Sequence, residues 1–594
     1  MNLLKSPIPF FLILILSCSD DPSDDWSKEN TVVYHWRAEP DDMHPTNGST
    51  SPRRVLMGLT QRFLVNTDYE KLDVRPDLVK KLPDVSADGL QFTYELRDEV
   101  TWDDGTQLTV DDVEFTLKAN KCPVTDNPQY KSYFEFLRNL NRDPGNQKKF
   151  TLMMSSVYIQ NVALFVDMPI LQRKFYDPSN ILARYSLIQF SDTAFARLPH
   201  PDLDAWGKEF NSAKYGHDLN FLQGLGAYKI TKWEPRQQIE LTRKKNHWTQ
   251  KLKNPGIYDV AYPEKIICRL VMDETAIELD LKKQNYDASS WIPTRLLAEL
   301  QKDSNFNRNY HSAFVPNFNF NYLAMNLKPK SVNRPPFFTD KKVRRAMAYL
   351  IPIDKASQDY YHGKCIRMAS LCPPSKTKTY NKDLRLIPFS VDTAKSLLDA
   401  AGWVDTDGDN LRDKMIDGKK MPFNFDLMIF SGNLPMENFA KDIQDAMKQA
   451  GVKCNVVPVD FGRFYEIARA HNFDMFIGAF TTAFAYEDYK QVWHSDSWEH
   501  GGSNFFGFGT PESDALIDSI RINLNDTLRI RQEKRLQAII YEEQPAIFLF
   551  QVPARVAIHK RFGNADMYYE QPAILLNNLK LLSPGGMNKP ADTQ

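Results

Sequence analysis

A chain of 594 residues exceeds what one hydrophobic core organises, so several domains are expected. Lysine and arginine (74) nearly cancel aspartate and glutamate (75), which argues against a nucleic-acid binder, whose contact face carries a basic surplus. An apolar content of 42% with 12% aromatics excludes a disordered chain.

The N-terminus places Lys5 before an apolar run at residues 8–16, followed by Ser17-Cys18 and an acidic, serine-rich stretch. The run is far shorter than the roughly 20 residues that span a bilayer as a helix. It has the charge, apolar core and small-residue boundary of an export signal over residues 1–17. Ile15-Leu16-Ser17-Cys18 has the pattern of a lipobox, which makes Cys18 the expected lipid attachment; an ordinary signal peptide containing a cysteine is the other reading. Residues 18–30 then read as a polar linker to a body held at a membrane by acyl chains.

The body opens with a strand at residues 31–36. In residues 88–119, Leu90, Phe92, Tyr94 and Leu96 alternate with Gln91, Thr93, Glu95 and Arg97, the period of a half-buried antiparallel strand. Asp104-Gly105 is a turn, and Thr109 with Asp112 forms a capping-box variant opening a helix that carries Val113 and Leu117. Residues 122–219 are aromatic and irregular, without a clear period. Two strands joined at Glu234-Pro235 follow, then a strand and helix within residues 262–288. Asp340 caps a helix carrying Val343, Ala346, Met347 and Leu350. Residues 439–450 form an amphipathic helix stopped by Gly451 and followed by a strand, an α/β unit.

Five cysteines remain beyond Cys18, without a CxxC pair or a zinc-like cluster. Cys365 and Cys372 are close in an exported chain, so a local disulfide is expected between them. The stretch DTDGDNLRD sets Asp405, Asp407, Asp409 and Asp413 at its first, third, fifth and ninth positions, as in a loop that wraps Ca²⁺. Gly408 stands early for an EF-hand and the closing glutamate is missing, so an Asp-Gly turn is the competing reading. No GxSxG elbow, HExxH helix, P-loop or GxGxxG is present, and no nucleophile–base pairing is visible, so the chain does not read as an enzyme.

As strings, several blocks resemble the family-5 extracellular solute-binding proteins, the peptide, oligopeptide and nickel receptors of bacterial ABC importers. The blocks are EPDDMHP (39–45), residues 88–119, the hairpin from Gly224 to Trp248, residues 262–288, 320–350, FDMFIGAF (473–480), WHSDSW (493–498) and GSNFFGFGTPESDALIDS (502–519). They are spread over nearly the whole chain after the linker. The resemblance implies an α/β, periplasmic-binding-protein-like fold of two lobes joined by a hinge. Lobe 1 would comprise residues 31–75, 222–291 and 546–594, lobe 2 residues 292–545, with a subdomain inserted at 76–221.

It also implies capture of a peptide or peptide-like solute by hinge closure, with no catalysis and no required cofactor. The partners would be a permease and a membrane reached through the lipid anchor. The chain would act as a monomer in the bacterial cell envelope, periplasmic or surface-exposed. The residue that holds the peptide amine in family members is aspartate; here its place falls on Phe484 or Ala485, leaving Glu487 and Asp488 as the nearest anions. Trp291, Phe480, Tyr486, Trp493 and Phe505 are expected to line the pocket, with Asn504 beside them. Because the amine-binding aspartate is replaced, two further readings stay open: a sensor or interaction lipoprotein on the same fold, and a receptor for a non-peptide cargo such as a nickel chelate.

Overall fold

The computed structural model describes residues 30–582 apart from 49, 128–133, 135, 193, 331–333, 483–485 and 500–501. Cys18 and the signal segment, and also Phe484 and Ala485, lie outside the described residues. No described helix is long and apolar enough to cross a membrane.

Lobe 1 is built on a seven-stranded sheet. Its strand order is Tyr310–Val315, Ala554–His559, Ala288–Ser289, Thr31–Trp36, Lys265–Leu270, Gln238–Arg243 and Tyr228–Glu234. The first strand of the body, Thr31–Trp36, runs parallel to both neighbours. Val32, Tyr34 and Trp36 pack with Val55 and Leu56 on one face, and Val33 with Ile277 and Leu281 on the other. A strand covered on both faces needs no polar side, which is why TVVYHW reads as an almost continuous apolar run. The expected hairpin is present: Tyr228–Glu234 pairs antiparallel with Gln238–Arg243, and Arg236 takes a left-handed conformation in the turn.

The crossing between lobes lies elsewhere than the family pattern implied. Tyr310–Val315 pairs along its whole length with Ala554–His559, so residues 292–315, with the helices Thr294–Leu300 and Ser304–Asn309, belong to lobe 1. The chain crosses between Val315 and Asn319, where the next strand already pairs inside lobe 2. It returns after Gln551, since Phe550–Gln551 still pairs with Ile366–Arg367. The boundaries at 291 and 545 are thus corrected: sheet hydrogen bonding, which needs a partner strand distant in sequence, decides them. Asn317 Nδ2 donates to Val552 O at 3.0 Å, and Gln551 Nε2 to Asn317 O at 2.5 Å, fastening the two hinge segments together.

Lobe 2 carries a five-stranded sheet ordered Lys453–Val459, Asn424–Phe430, Met475–Thr481, Asn319–Met325 and Ala546–Phe548. The expected α/β unit is its centre. The helix Leu434–Gln449 buries Phe439, Ile443 and Met447, and Gly451 at φ 75 lets the chain turn straight into Lys453–Val459. The first three strands are mutually parallel, and their C-terminal ends point at the hinge because Thr481 pairs with Asn319. In lobe 1 the parallel strands likewise end at Trp36, Leu270 and Ser289, beside the crossing. The cleft therefore opens at the carboxyl ends of parallel strands, where open α/β sheets bind ligands.

The inserted subdomain is a four-stranded antiparallel sheet ordered Asp84–Val85, Gln91–Glu95, Lys149–Met154 and Leu137–Arg142. Phe92, Tyr94 and Leu96 are buried as their alternation predicts, each contributing about 1.5–3 kcal/mol. The helix Val110–Lys121 starts with the Thr109–Asp112 capping box and buries Val113 and Leu117. Residues 122–219, without a readable period, supply two of the strands and a helix, Pro201–Phe210. They also close an aromatic cluster of Phe115, Tyr176, Trp206, Phe210 and Tyr215.

Candidate functional site

A cavity of about 190 Å³ lies between the lobes near the hinge. Lobe 1 contributes Lys71, Leu72 and Asp73 from the turn between the strands Val65–Asp68 and Asp73–Pro76. Lobe 2 contributes Phe318 just after the crossing, residues 375–379, Tyr486, Glu487, Tyr489, and one face of the helix Asp526–Glu543. Charges of both signs converge on it. Lys376 Nζ stands 3.5 Å from Glu487 and 5.9 Å from the Phe318 ring centroid. Arg529 Nε stands 3.4 Å from Glu533, and its guanidinium lies 4.8 Å from the centre of the Tyr486 ring.

Glu533 is only 4% exposed. Burial pushes its carboxyl up to about 7, against the pull of Arg529 and Lys376 and with repulsion from Glu487. Glu570 of lobe 1 is likewise pushed up to about 7 by burial, and it too feels Lys376 across the gap. One lysine of lobe 2 is thus coupled to acids of both lobes.

The expected site residues divide. Tyr486 and Glu487 line the cavity. Trp291 stands at the hinge end of lobe 1, its Nε1 donating to Tyr34 Oη at 3.1 Å. Phe480 is half-buried and stacked on Tyr322 at 4.3 Å.

Trp493 and Phe505 are core, not pocket wall. Trp493 packs on Phe506 and Phe548 at 4.9 and 5.9 Å, and both residues belong to one buried cluster. Asn504 is fully buried and holds a turn: Nδ2 donates to His494 O and Phe508 O, while Oδ1 accepts from Gly507 and Phe508. Asp488 is turned away from the cavity. Its carboxylate accepts from Arg521 Nε at 3.0 Å and from Tyr158 Oη at 2.6 Å, joining lobe 2 to the inserted subdomain. Lys376, Arg529 and Glu533 belong to no motif in the sequence: Arg529 and Glu533, four apart on a helix, have the spacing of an ordinary surface ion pair, and Lys376 is brought to them only by the fold.

One further expectation, the local disulfide, is corrected. Cys365 and Cys372 are both free thiols. Residues 366–368 between them run extended along residues 549–551, and Cys372 Sγ lies 3.4 Å from Thr379 Oγ1. Of the four loop aspartates, Asp405, Asp407 and Asp413 converge, but Asp409 caps Leu411 N instead. Lys420 Nζ reaches Asp407 at 2.5 Å and Asp413 at 3.2 Å, so two of the three converging carboxylates pair with an ammonium.

The fold and the cleft define a ligand-binding protein of the two-lobed type. Residues 73–501 match the model of the bacterial extracellular solute-binding proteins, family 5 Middle, and the chain belongs to that family. Its members bind solutes and do not transform them. Among known proteins, the chain is 24% identical over 522 residues to the oligopeptide-binding protein AppA of Bacillus subtilis, covering 85% of this chain and 84% of that protein. The structure of AppA in complex with a nonapeptide superposes with a TM-score of 0.70 at 19% identity, over 93% of this chain and 99% of AppA. NikZ from Campylobacter jejuni, in complex with Ni(L-His), superposes with a TM-score of 0.67 at 19% identity, over 90% and 95% of the two chains.

Proposed function

We propose that this protein is the receptor of an ABC importer for peptides or peptide-like zwitterions, captured in the interlobe cavity as the hinge closes. The observation that carries this reading is the charge pattern of the cavity. Lys376, Arg529, Glu487 and Glu533 alternate in sign beside the aromatic rings of Phe318, Tyr486 and Tyr489. Such a wall offers an acceptor for an amine and cations that balance its acids, with apolar area between them. Main-chain pairing of an extended peptide would add affinity without selecting a sequence. The AppA and NikZ complexes frame the alternatives, a peptide or a metal chelate. Among the described residues, the cavity wall includes no histidine or cysteine, which favours the peptide.

In this reading the exported chain is lipidated at Cys18 and works as a monomer at the cell envelope, delivering its cargo to a permease. Closure follows from tighter binding of ligand to the closed arrangement. Glu487 is the amine-binding acid, and Asp488 is a structural latch to the subdomain. The test is a thermal-shift screen of the full chain with pools of short peptides, sugars and nickel–histidine. A rise in Tm with peptides alone supports the reading, since a ligand at about 100-fold above its Kd stabilises by about 2.7 kcal/mol. A shift only with nickel–histidine, or with none of the pools, overturns it.

A further inference from the structure

At the carboxyl ends of the parallel strands of lobe 1, away from the cavity above, two arginines stand together. Arg37 directly follows the strand Thr31–Trp36, at the point where the chain's neighbours switch from one side of that strand to the other. Arg555 opens the strand that returns from the hinge, and it bridges Trp291. Neither has a carboxylate within ion-pair distance among the described residues. Arg555 is held only by carbonyls, Nε donating to Ile292 O at 2.9 Å and a terminal nitrogen to Pro553 O at 3.0 Å. Arg37 donates to Met272 O at 3.2 Å, and its Nε is buried without a hydrogen-bond partner.

The two guanidinium groups repel one another: burial, and then Arg37, push Arg555 down to about 10, which leaves it charged at neutral pH. A third cation approaches from lobe 2. Lys364 Nζ lies 5.1 Å from the centre of the Phe314 ring, and Phe314 is the cross-strand partner of Arg555. Like charges gathered in a part-buried hinge raise the energy of the empty protein, and an anion placed among them relieves it. Guanidinium forks match the two oxygens of a carboxylate or phosphate.

We propose that Arg37 and Arg555 form an oxyanion subsite, completed by Lys364 from the facing lobe, that receives a carboxylate of the captured solute. The owner of that carboxylate rests on the receptor reading; the existence of the subsite does not. An anion held between Arg555 of lobe 1 and Lys364 of lobe 2 would also favour the closed arrangement, because only there do all three cations reach it.

The test compares, by calorimetry on the full chain, a pool of short peptides with free C-termini against the same pool amidated. In parallel, the Tm is measured in sodium acetate and in acetamide with sodium chloride at matched ionic strength. The expected result is at least tenfold tighter binding of the free acids, with that discrimination lost in Arg37→Gln and in Arg555→Lys, and a Tm raised by acetate in wild type but not in Arg37→Gln. Arg37→Gln removes a single backbone bond, so it serves where Arg555→Lys fails to fold. Equal affinity for acids and amides overturns the subsite and leaves the receptor reading standing. If neither pool binds, the receptor reading fails, and acetate decides: stabilisation that depends on Arg37 upholds the subsite, and no effect overturns it.

Discussion

Asp287 and Arg561 form the buried ion pair that ties lobe 1 together. Arg561 Nε donates to Oδ1 at 2.7 Å and a terminal nitrogen donates to Oδ2 at 2.9 Å. Asp287 also accepts from Val33 N at 2.8 Å, and Arg561 donates to Thr31 O at 2.8 Å. Three segments far apart in sequence meet at one carboxylate, which is completely buried. Removing one partner of such a pair leaves the other charge buried and uncompensated, at a cost of about 3–5 kcal/mol. Asp287→Asn is therefore expected to lower unfolding free energy by that order in urea titrations. A loss below about 1 kcal/mol would show that the pair does not hold the lobe.

Acid should destabilise the protein through its buried histidines. Burial pushes His35 and His559 down to about 4 and His247 to about 3. Each is neutral in the folded chain but titrates near 6.5 when unfolded, so its contribution is complete above about 6.5 and is lost as pH falls toward the folded value. Glu533 and Glu570 act with the opposite sign, because folding raises their affinity for protons. The histidine effect is isolated by comparing wild type with His247→Gln at two pH values. Between pH about 7.5 and about 5 the wild type should lose about 2 kcal/mol more than the variant. Parallel pH profiles would refute the assignment.

Glu487 and Asp488 are adjacent yet are expected to behave differently. Glu487→Gln should weaken binding of a peptide pool at least tenfold, about 1.4 kcal/mol, with little change in Tm. Asp488→Ala should lower Tm and raise proteolytic sensitivity of the inserted subdomain, because Arg521 and Tyr158 lose their shared acceptor. If the two variants exchange these effects, the division between cavity wall and latch is wrong.

Calcium should not stabilise the loop at residues 405–413. Lys420 already supplies the positive charge that Asp407 and Asp413 require. Thermal melts with added calcium and with chelator are expected to coincide. A Tm rise that disappears in Asp405→Asn would show instead that the loop binds calcium.

All the cysteines described should titrate as thiols once the chain is unfolded without reductant. A non-reducing peptide map is the direct check. Recovery of a Cys365–Cys372 linked peptide from the native protein would contradict the free thiols of this structure.

Local order was legible because its causes are local. Phe92, Tyr94 and Leu96 are buried because side chains on a strand alternate, and Thr109 with Asp112 caps a helix because both lie within one turn. The family pattern, spread along the whole chain, carried the two-lobed fold as well. The site was less legible. Trp493 and Phe505 look like pocket residues by type, but whether an aromatic ring faces ligand or core depends on what folds over it. Here Phe506 and Phe548 do.

By itself, then, the sequence determined the strands, caps and turns, the exclusion of catalytic motifs and the family. Only the tertiary structure decided which charges meet. Lys376 and Glu487 stand more than a hundred residues apart, as do Asp287 and Arg561, and Arg37 and Arg555 lie at opposite ends of the described chain. Electrostatic coupling depends on distance in space and on burial, and neither is set by position along the chain.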